Sequence, residues 1–199
     1  PTEHGVNPGV RSLWKEPVFD VLKKLFTQEE DKRDRLVVIE STLCYDWLED
    51  LRLYDNENLH IAVAPRRDWF DDNMSYRIAS IPRVVGAFQE ETRQEAIAVC
   101  RMVSENILPA TVEEAVLTKA FENSLRFVEI SCLNQLALAY PNVDIRKVGR
   151  LAGSKWNVPT LHPSFGVAGY CLPLGSAYLG ELRTSGMDIF GEASSLNDS

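Results

Sequence analysis

The first half of the chain alternates between two hydrophobic patterns. Short continuous apolar runs rich in β-branched residues occur at Leu36–Thr42, in LHIAVAP and in RVVGAF. Such runs are typical of strands that are buried on both faces in a parallel sheet. Helical spacing of apolar residues lies around them, at Trp14–Phe26, Trp47–Leu53 and Glu90–Ser104. We therefore predict an α/β arrangement of three strands in a partial parallel sheet with flanking helices.

From Thr111 the apolar residues follow one long helical period. Thr111 can cap a helix, and Glu114 follows three residues later, which is the pattern of a capping box. Apolar residues then recur along one stripe at Val112, Val116, Leu117, Phe121, Leu125, Val128, Cys132, Leu136 and Tyr140. The pattern predicts one helix of about 29 residues that ends at Pro141. The fold class is therefore α/β followed by all-α, with the second part built on one long helix.

The remaining sequence contains fewer regular patterns. A second short helix is expected at Asp144–Ala152. The following GSKWNVPTLHPSFGVAGYCLPLGSAY is rich in Gly, Pro and Ser and is expected to form a structured loop. The segment Gly191–Ser199 has small polar residues, and we expect it to fray.

Composition narrows the class of protein. The 199 residues are 45% hydrophobic and 25% charged, and the net charge is −8. This acidic balance argues against nucleic acid or an anionic membrane as the main partner. No apolar run approaches the roughly 20 residues that span a bilayer, and no basic and apolar leader opens the chain. The widely spaced Cys44, Cys100, Cys132 and Cys171 favour free thiols in the cytoplasm over zinc or disulfides.

Two constellations could carry chemistry. Cys171 lies in the glycine-bracketed segment GVAGYCLP, where a thiol can be an exposed nucleophile or a small buried hydrophobe. Lys119 and Asn123 are four residues apart on the long helix, and Arg126 follows them. An ammonium and a carboxamide at this spacing can converge on one oxyanion, although a solvated helix face has the same pattern.

Four segments together resemble a known family. IEST follows a strand, and after it come IPRVVGAF, EEAVLTKAFENSLRFVEISCLNQLAL and HPSFGVAGYCLP. From about Ile39 to Leu179 the chain resembles the UDP-glucose/GDP-mannose dehydrogenases, which use NAD to oxidise C6 of a nucleotide sugar from alcohol to acid. The last two segments are the specific ones. The resemblance implies a remnant of a Rossmann-like domain at 1–108 and a central helical dimerisation domain with a catalytic-cysteine loop at 109–199.

The resemblance also implies roles for individual residues. Cys171 would be the thiolate that forms a thiohemiacetal and then a thioester, and Lys119 and Asn123 would stabilise the oxyanion or hold water. The residues expected to contact substrate are Thr42, Arg66, Arg126, Phe165, Gly166 and Gly169, with Thr42 on the nicotinamide side. The long helix 111–140 would form a homodimer.

Three departures from the family pattern affect the predicted chemistry. Arg66 stands where the family has the Glu of S-P-E, and Gly175 stands where it has the Asp of P-x-D. The family's ST-x-P-x-G turn is altered to STLCYDW. Without these carboxylates no general base activates the attacking water molecule, so we expect these changes to weaken thioester hydrolysis. A shift of the alignment by a residue would let Asp68 supply one carboxylate.

The sequence also lacks the family's cofactor motif. No G-x-G-x-x-G occurs in the 199 residues, so we expect no cofactor in this chain alone, and NAD only if a partner supplies the missing domain. No metal site is expected.

Three functions remain open on the sequence. The first is a truncated, repurposed Cys-dependent enzyme that acts on a carbonyl or sugar-like substrate such as a nucleotide sugar. The second is a fragment or split subunit of an NAD-dependent nucleotide-sugar 6-dehydrogenase, with a second chain covering its open sheet edge. The third is a catalytically dead dimeric binding protein.

Overall fold

The computed structural model describes residues 15–27, 34–68, 76–164, 166–179 and 188–197. The chain divides into two compact units. The sheet unit contains Ser12–Lys119, and the helical unit contains Ala120–Ser199. The sequence-based division at residue 108 stays a prediction.

The sheet unit has the predicted α/β arrangement. Its elements are α1 (Lys15–Phe26), β1 (Arg35–Ile39), a 3₁₀ turn at Tyr45–Trp47, α2 (Leu48–Arg52), β2 (Leu59–Val63), β3 (Arg83–Ala87), α3 (Glu90–Cys100) and β4 (Ile107–Thr111). The core lies between the sheet and α3, which buries Ala96, Ile97 and Cys100 against β2 and β3.

The described strands form one sheet in the order β1-β2-β3-β4. β1 pairs with β2 in parallel, and β3 pairs with β4 in parallel. β2 and β3 run antiparallel and share only two residue pairs, Ala62 with Ala87 and Val63 with Gly86. The prediction of a partial parallel sheet is confirmed. The antiparallel middle pair could not be predicted because apolar runs carry no information on strand direction.

Two details of the strand prediction were wrong. β1 is half-buried along most of its length, and only Ile39 is buried, because among the described strands β1 pairs with β2 alone. The described residues also contain a fourth strand, β4, with the sequence ILPAT. Pro109 argues against a strand in the sequence. It is tolerated here because β4 pairs only with β3 among the described strands, and a proline needs no partner for an N–H it lacks.

The long helix begins as the sequence predicts. Helix α4 spans Val112–Ala139. Thr111 Oγ1 accepts a hydrogen bond from Glu114 N at 3.1 Å, and Glu114 Oε2 accepts one from Thr111 N at 2.8 Å. The capping box is therefore confirmed, as is the next helix, α5 (Ile145–Ala152), where Asp144 Oδ1 accepts from Lys147 N at 3.0 Å.

Two later helices correct the sequence analysis. Cys171 is the first residue of α6 (Cys171–Leu179), where a loop was predicted. The segment predicted to fray contains most of α7 (Ile189–Asn197), whose first turn is capped by Asp188 Oδ1 accepting from Gly191 N at 2.9 Å. Both helices contain glycine and serine, which are poor helix formers, so packing rather than local propensity determines them.

The apolar stripe predicted on α4 is buried only at its start. Val112 and Val116 are buried, but most of the stripe from Phe121 onward is exposed. The face that is buried in the helical unit has smaller and more polar residues: Ala120, Asn123, Ser124, Phe127 and Ser131. Hydrophobic periodicity selects the most apolar face, and in this part of the helix that face is not the one that packs within the helical unit.

Candidate active site around Cys171

Cys171 is accessible at the start of its helix. All four cysteines are free thiols; Cys44 and Cys100 are buried, whereas Cys132 and Cys171 are exposed. Burial raises the pKa of the Cys100 thiol, which keeps that thiol protonated. Cys171 and Cys132 are therefore the two thiols that a reagent in solution can reach.

Two glycines shape the segment that leads into Cys171. Gly166 has φ +91° and Gly169 has φ +88°, a left-handed conformation that residues with a Cβ rarely adopt. Ser164 Oγ donates to Gly166 O at 2.7 Å and tightens the turn. Phe165 lies outside the described residues, so its role in substrate binding stays a prediction.

The structure brings Asn123 to the helix that begins with Cys171. Asn123 is 8% exposed, and Gly175 packs directly on it, because a Cβ at Gly175 would lie 2.4 Å from Asn123 Cβ. Gly175 is one helical turn after Cys171 and shares its face of α6. Asn123 therefore packs against α6 one turn after the thiol, and its oxyanion role stays a prediction.

The other two predicted site residues of α4 are Lys119 and Arg126. Lys119 is half-buried one turn before Asn123 and belongs to the sheet unit. Arg126 is exposed, and its Nη1 lies 3.2 Å from Glu129 Oε2 on the next turn. An exposed pair at this spacing contributes little stability, so Arg126 can exchange Glu129 for another anion.

Arg66 is held by carboxylates at the carboxyl end of the parallel pair β1 and β2. Its Nε and Nη2 donate to the two carboxylate oxygens of Asp68, both at 2.6 Å. Its Nη1 lies 3.4 Å from Glu40 Oε2, and the other oxygen of Glu40 accepts from Arg83 Nη2. We call Glu40, Arg66, Asp68 and Arg83 the ion-pair cluster. Thr42 is half-buried in the turn that follows β1.

Asp68 is a poor substitute for the missing carboxylate. Hydrogen bonding to Arg66 holds the pKa of Asp68 below its ordinary value, and both of its oxygens are engaged. A carboxylate with a lowered pKa is a weaker base, and this one must break a bidentate pair to contact water. The contribution of Arg66 to substrate binding stays a prediction, because it too requires opening the ion-pair cluster.

Sequence reasoning missed two asparagines that hold the loop before Cys171. Asn134 Oδ1 accepts from Ser164 N at 2.7 Å. Asn197 Oδ1 accepts from Val167 N, and its Nδ2 donates to Val167 O at 3.3 Å. Asn134 interrupts an otherwise apolar stretch of α4, and that was the one available signal, since Asn is a weak helix former.

The described ranges contain neither a cluster of metal-ligating side chains nor a membrane-spanning helix. No three His, Cys, Asp or Glu side chains there lie close enough together to hold a metal ion. None of the helices in those ranges is both long and apolar enough to cross a bilayer.

Comparison with known proteins supports the resemblance to a known family. Residues 113–198 match the UDP-glucose/GDP-mannose dehydrogenase family, central domain. This part of the chain is similar to the central domain of those dehydrogenases. The match contains most of α4, Cys171, and all of α6 and α7.

Individual dehydrogenases are similar to this chain over much of its length. The UDP-N-acetyl-D-glucosamine 6-dehydrogenase of Salmonella typhi is 29% identical over 133 residues, which are 62% of this chain and 30% of that protein. The NDP-N-acetyl-D-galactosaminuronic acid dehydrogenase structure from Methanosarcina mazei is 26% identical with a TM-score of 0.72, covering 92% of this chain and 43% of the other. The UDP-D-ManNAc dehydrogenase structure from Pyrococcus horikoshii, at 23% identity, shares the fold with a TM-score of 0.80, covering 92% and 46%. The chain thus spans less than half the length of each of these relatives.

Proposed function

We propose that Cys171 is the nucleophile of a covalent site that captures the C6 aldehyde of a nucleotide sugar. The observation that carries the proposal is the exposed thiol at the first residue of α6, with Asn123 packed against the same helix face one turn on. Both residues lie in the segment that matches the dehydrogenase central domain. The similar proteins named above act on nucleotide-linked N-acetyl sugars, which supports the substrate class.

The proposed step is a reversible addition. The Cys171 thiolate attacks the aldehyde carbon, a carbon–sulfur bond forms, and the π electron pair moves to the oxygen, which then takes a proton from water. The Asn123 amide can donate to that oxygen, and the resemblance adds Lys119, one turn earlier on α4. No electrons leave the substrate, so the thiohemiacetal forms without an oxidant.

The described carboxyl ends of β1 and β2 lack the features of a dinucleotide site. Open α/β sheets bind dinucleotides at the carboxyl ends of their strands, next to a glycine-rich turn. Here the carboxyl ends of β1 and β2 hold the ion-pair cluster, in which Arg66 is already paired with Asp68 and Glu40 and would have to leave them to bind a pyrophosphate. The sequence contains no G-x-G-x-x-G. The addition proposed at Cys171 needs no NAD.

Protection from alkylation tests the covalent site. We expect the C6 aldehyde of UDP-N-acetylglucosamine to slow alkylation of Cys171 by iodoacetamide about tenfold, because a thiohemiacetal has no free thiolate. The matched C6 alcohol should not protect Cys171. Cys132, exposed in the same molecule, provides the internal standard, and peptide mass spectrometry measures both sites. Equal alkylation of Cys171 with and without the aldehyde contradicts the proposal.

The open edge of β1 favours a second candidate function. Among the described strands β1 pairs only with β2, so its other edge can accept a strand from elsewhere. In this case the chain would contribute Cys171 to an NAD-dependent 6-dehydrogenase whose cofactor site lies outside these residues. NADH formation from the C6 alcohol, absent with this chain alone and present with a partner, would favour this candidate.

We also propose that the protein forms a homodimer through α4. Phe121, Leu125 and Leu136 are 36–52% exposed on the face of α4 turned away from the core of the helical unit. We expect Phe121→Lys/Leu125→Lys to convert a dimer to a monomer in sedimentation at micromolar concentration, because two charges would be buried in the interface. The control is Val103→Lys, a charge at an apolar residue of the sheet unit that is 48% exposed. A monomeric wild-type protein contradicts the proposal.

A further inference from the structure

We propose that α7 is a brace for the cysteine, in which Asn197 and Ser194 are the positioning residues for Cys171. The inference rests on the proposed function for its catalytic consequence, but not for its structural content. It concerns contacts within the helical unit on both sides of Cys171.

On the loop side, Asn197 clamps one residue with both ends of its carboxamide. Its Oδ1 accepts from Val167 N, and its Nδ2 donates to Val167 O at 3.3 Å. This pair of bonds is the one that a neighbouring strand would make with an extended residue. Val167 lies four residues before Cys171, so the clamp restrains the backbone that enters α6.

On the helix side, Ser176 ties α6 to the same brace. Ser176 is fully buried, and its Oγ lies 3.1 Å from Phe190 O and 3.1 Å from Ser194 Oγ. Buried hydroxyls stabilise a contact only when they are paired, as these are. Ser176 lies five residues after Cys171, so α7 holds the chain on both sides of the thiol.

Packing alone does not hold the loop. Val167 packs with Phe127 of α4 and Ala193 of α7. On its other side, however, the turn at Ser164 and Gly166 borders a cavity of about 410 Å³, which is also lined by Asn197. Because this space is open to solvent and no side chain of the described residues packs into it from that side, the hydrogen bonds of Asn197 supply the restraint there.

Amide hydrogen exchange tests the brace without reference to function. In Asn197→Ala we expect faster exchange, by about fivefold, at two amides. One is Val167 N, which loses its acceptor. The other is Leu174 N, which donates to Tyr170 O across the first turn of α6. Gly153 N, which donates to Gly149 O at the end of α5, should keep its wild-type rate. Unchanged exchange at Leu174, or equal acceleration at Gly153, overturns the proposal.

The catalytic consequence has its own measurement. The aldehyde concentration that halves the alkylation rate of Cys171 should rise about fivefold in Asn197→Ala and in Ser194→Ala, while the alkylation rate of Cys132 stays constant. Asn157→Ala, at an exposed position of the same unit, is the control. If the wild-type protein shows no protection, the proposed function fails and the exchange result still decides the brace. If the wild-type protein is protected and neither variant alters that protection, the brace does not position Cys171.

Discussion

Gly175→Asp, which restores the carboxylate of the family pattern, is expected to destabilise the helical unit by about 3–5 kcal/mol. Gly175 is buried, and a Cβ there would lie 2.4 Å from Asn123 Cβ and 3.3 Å from Ala120 O. The new side chain must push α6 away from α4, and it brings a negative charge towards a carbonyl oxygen. We therefore expect that Gly175→Asp does not restore thioester hydrolysis.

Thermal unfolding measures the effect, and two variants separate its causes. Gly175→Ala introduces the steric clash without the charge and is expected to cost about half as much. Ala168→Asp introduces the charge at an exposed position three residues before Cys171 and should leave the stability nearly unchanged. A Gly175→Asp protein as stable as the wild type would show that α6 and α4 can separate freely.

The packing at Gly175 leaves no room for the carboxylate that the family pattern has at this position. Asn123 and α6 approach each other through the space that a side chain at this position would need. The ion-pair cluster likewise engages Asp68, the carboxylate nearest to Arg66. Both arrangements support the proposal of a site that captures a carbonyl compound rather than one that hydrolyses a thioester.

Gly86→Ala is expected to destabilise the sheet unit by about 3 kcal/mol. A Cβ at Gly86 would lie 2.2 Å from Thr111 O and 3.0 Å from Ala115 Cβ. These atoms cannot easily move, because Thr111 ends β4 and its capping box with Glu114 starts α4. The close approach of β3 to this junction therefore requires glycine.

Chemical denaturation checks this prediction against a matched glycine. Gly169→Ala meets no atom within 4 Å, but its φ of +88° strains any residue with a Cβ. It should cost about 1 kcal/mol, from backbone strain alone. Equal losses at the two positions would mean that the contact of Gly86 with Thr111 relaxes without cost.

Local patterns predicted the elements whose stability is local. The capping box at Thr111, the short helix after Asp144 and the apolar runs of β1, β2 and β3 are patterns of neighbouring residues, and all were confirmed. Helices α6 and α7 were missed because their glycines and serines are stabilised by partners more than ten residues away, such as Ser176 with Ser194. β4 was missed for a similar reason, since its pairing with β3 outweighs Pro109.

In the candidate site, too, some features were predicted from the sequence and others are seen only in the structure. Cys171, Lys119 and Asn123 were named from residue type, spacing and family resemblance. The contact of Asn123 with α6, the pairing of Arg66 with Asp68 and the clamp of Asn197 on Val167 involve residues that sequence pattern cannot bring together.

By itself, the sequence determined the alternation of strands and helices up to β3, the start of the long helix and the resemblance to the dehydrogenase central domain. These depend on hydrophobic period, capping residues and short motifs, which are properties of neighbouring residues. Only the tertiary structure decided which face of α4 is buried, where Cys171 stands on its helix and what holds it there. Those features depend on contacts between distant segments, whose free energy outweighs local preference once the chain is folded.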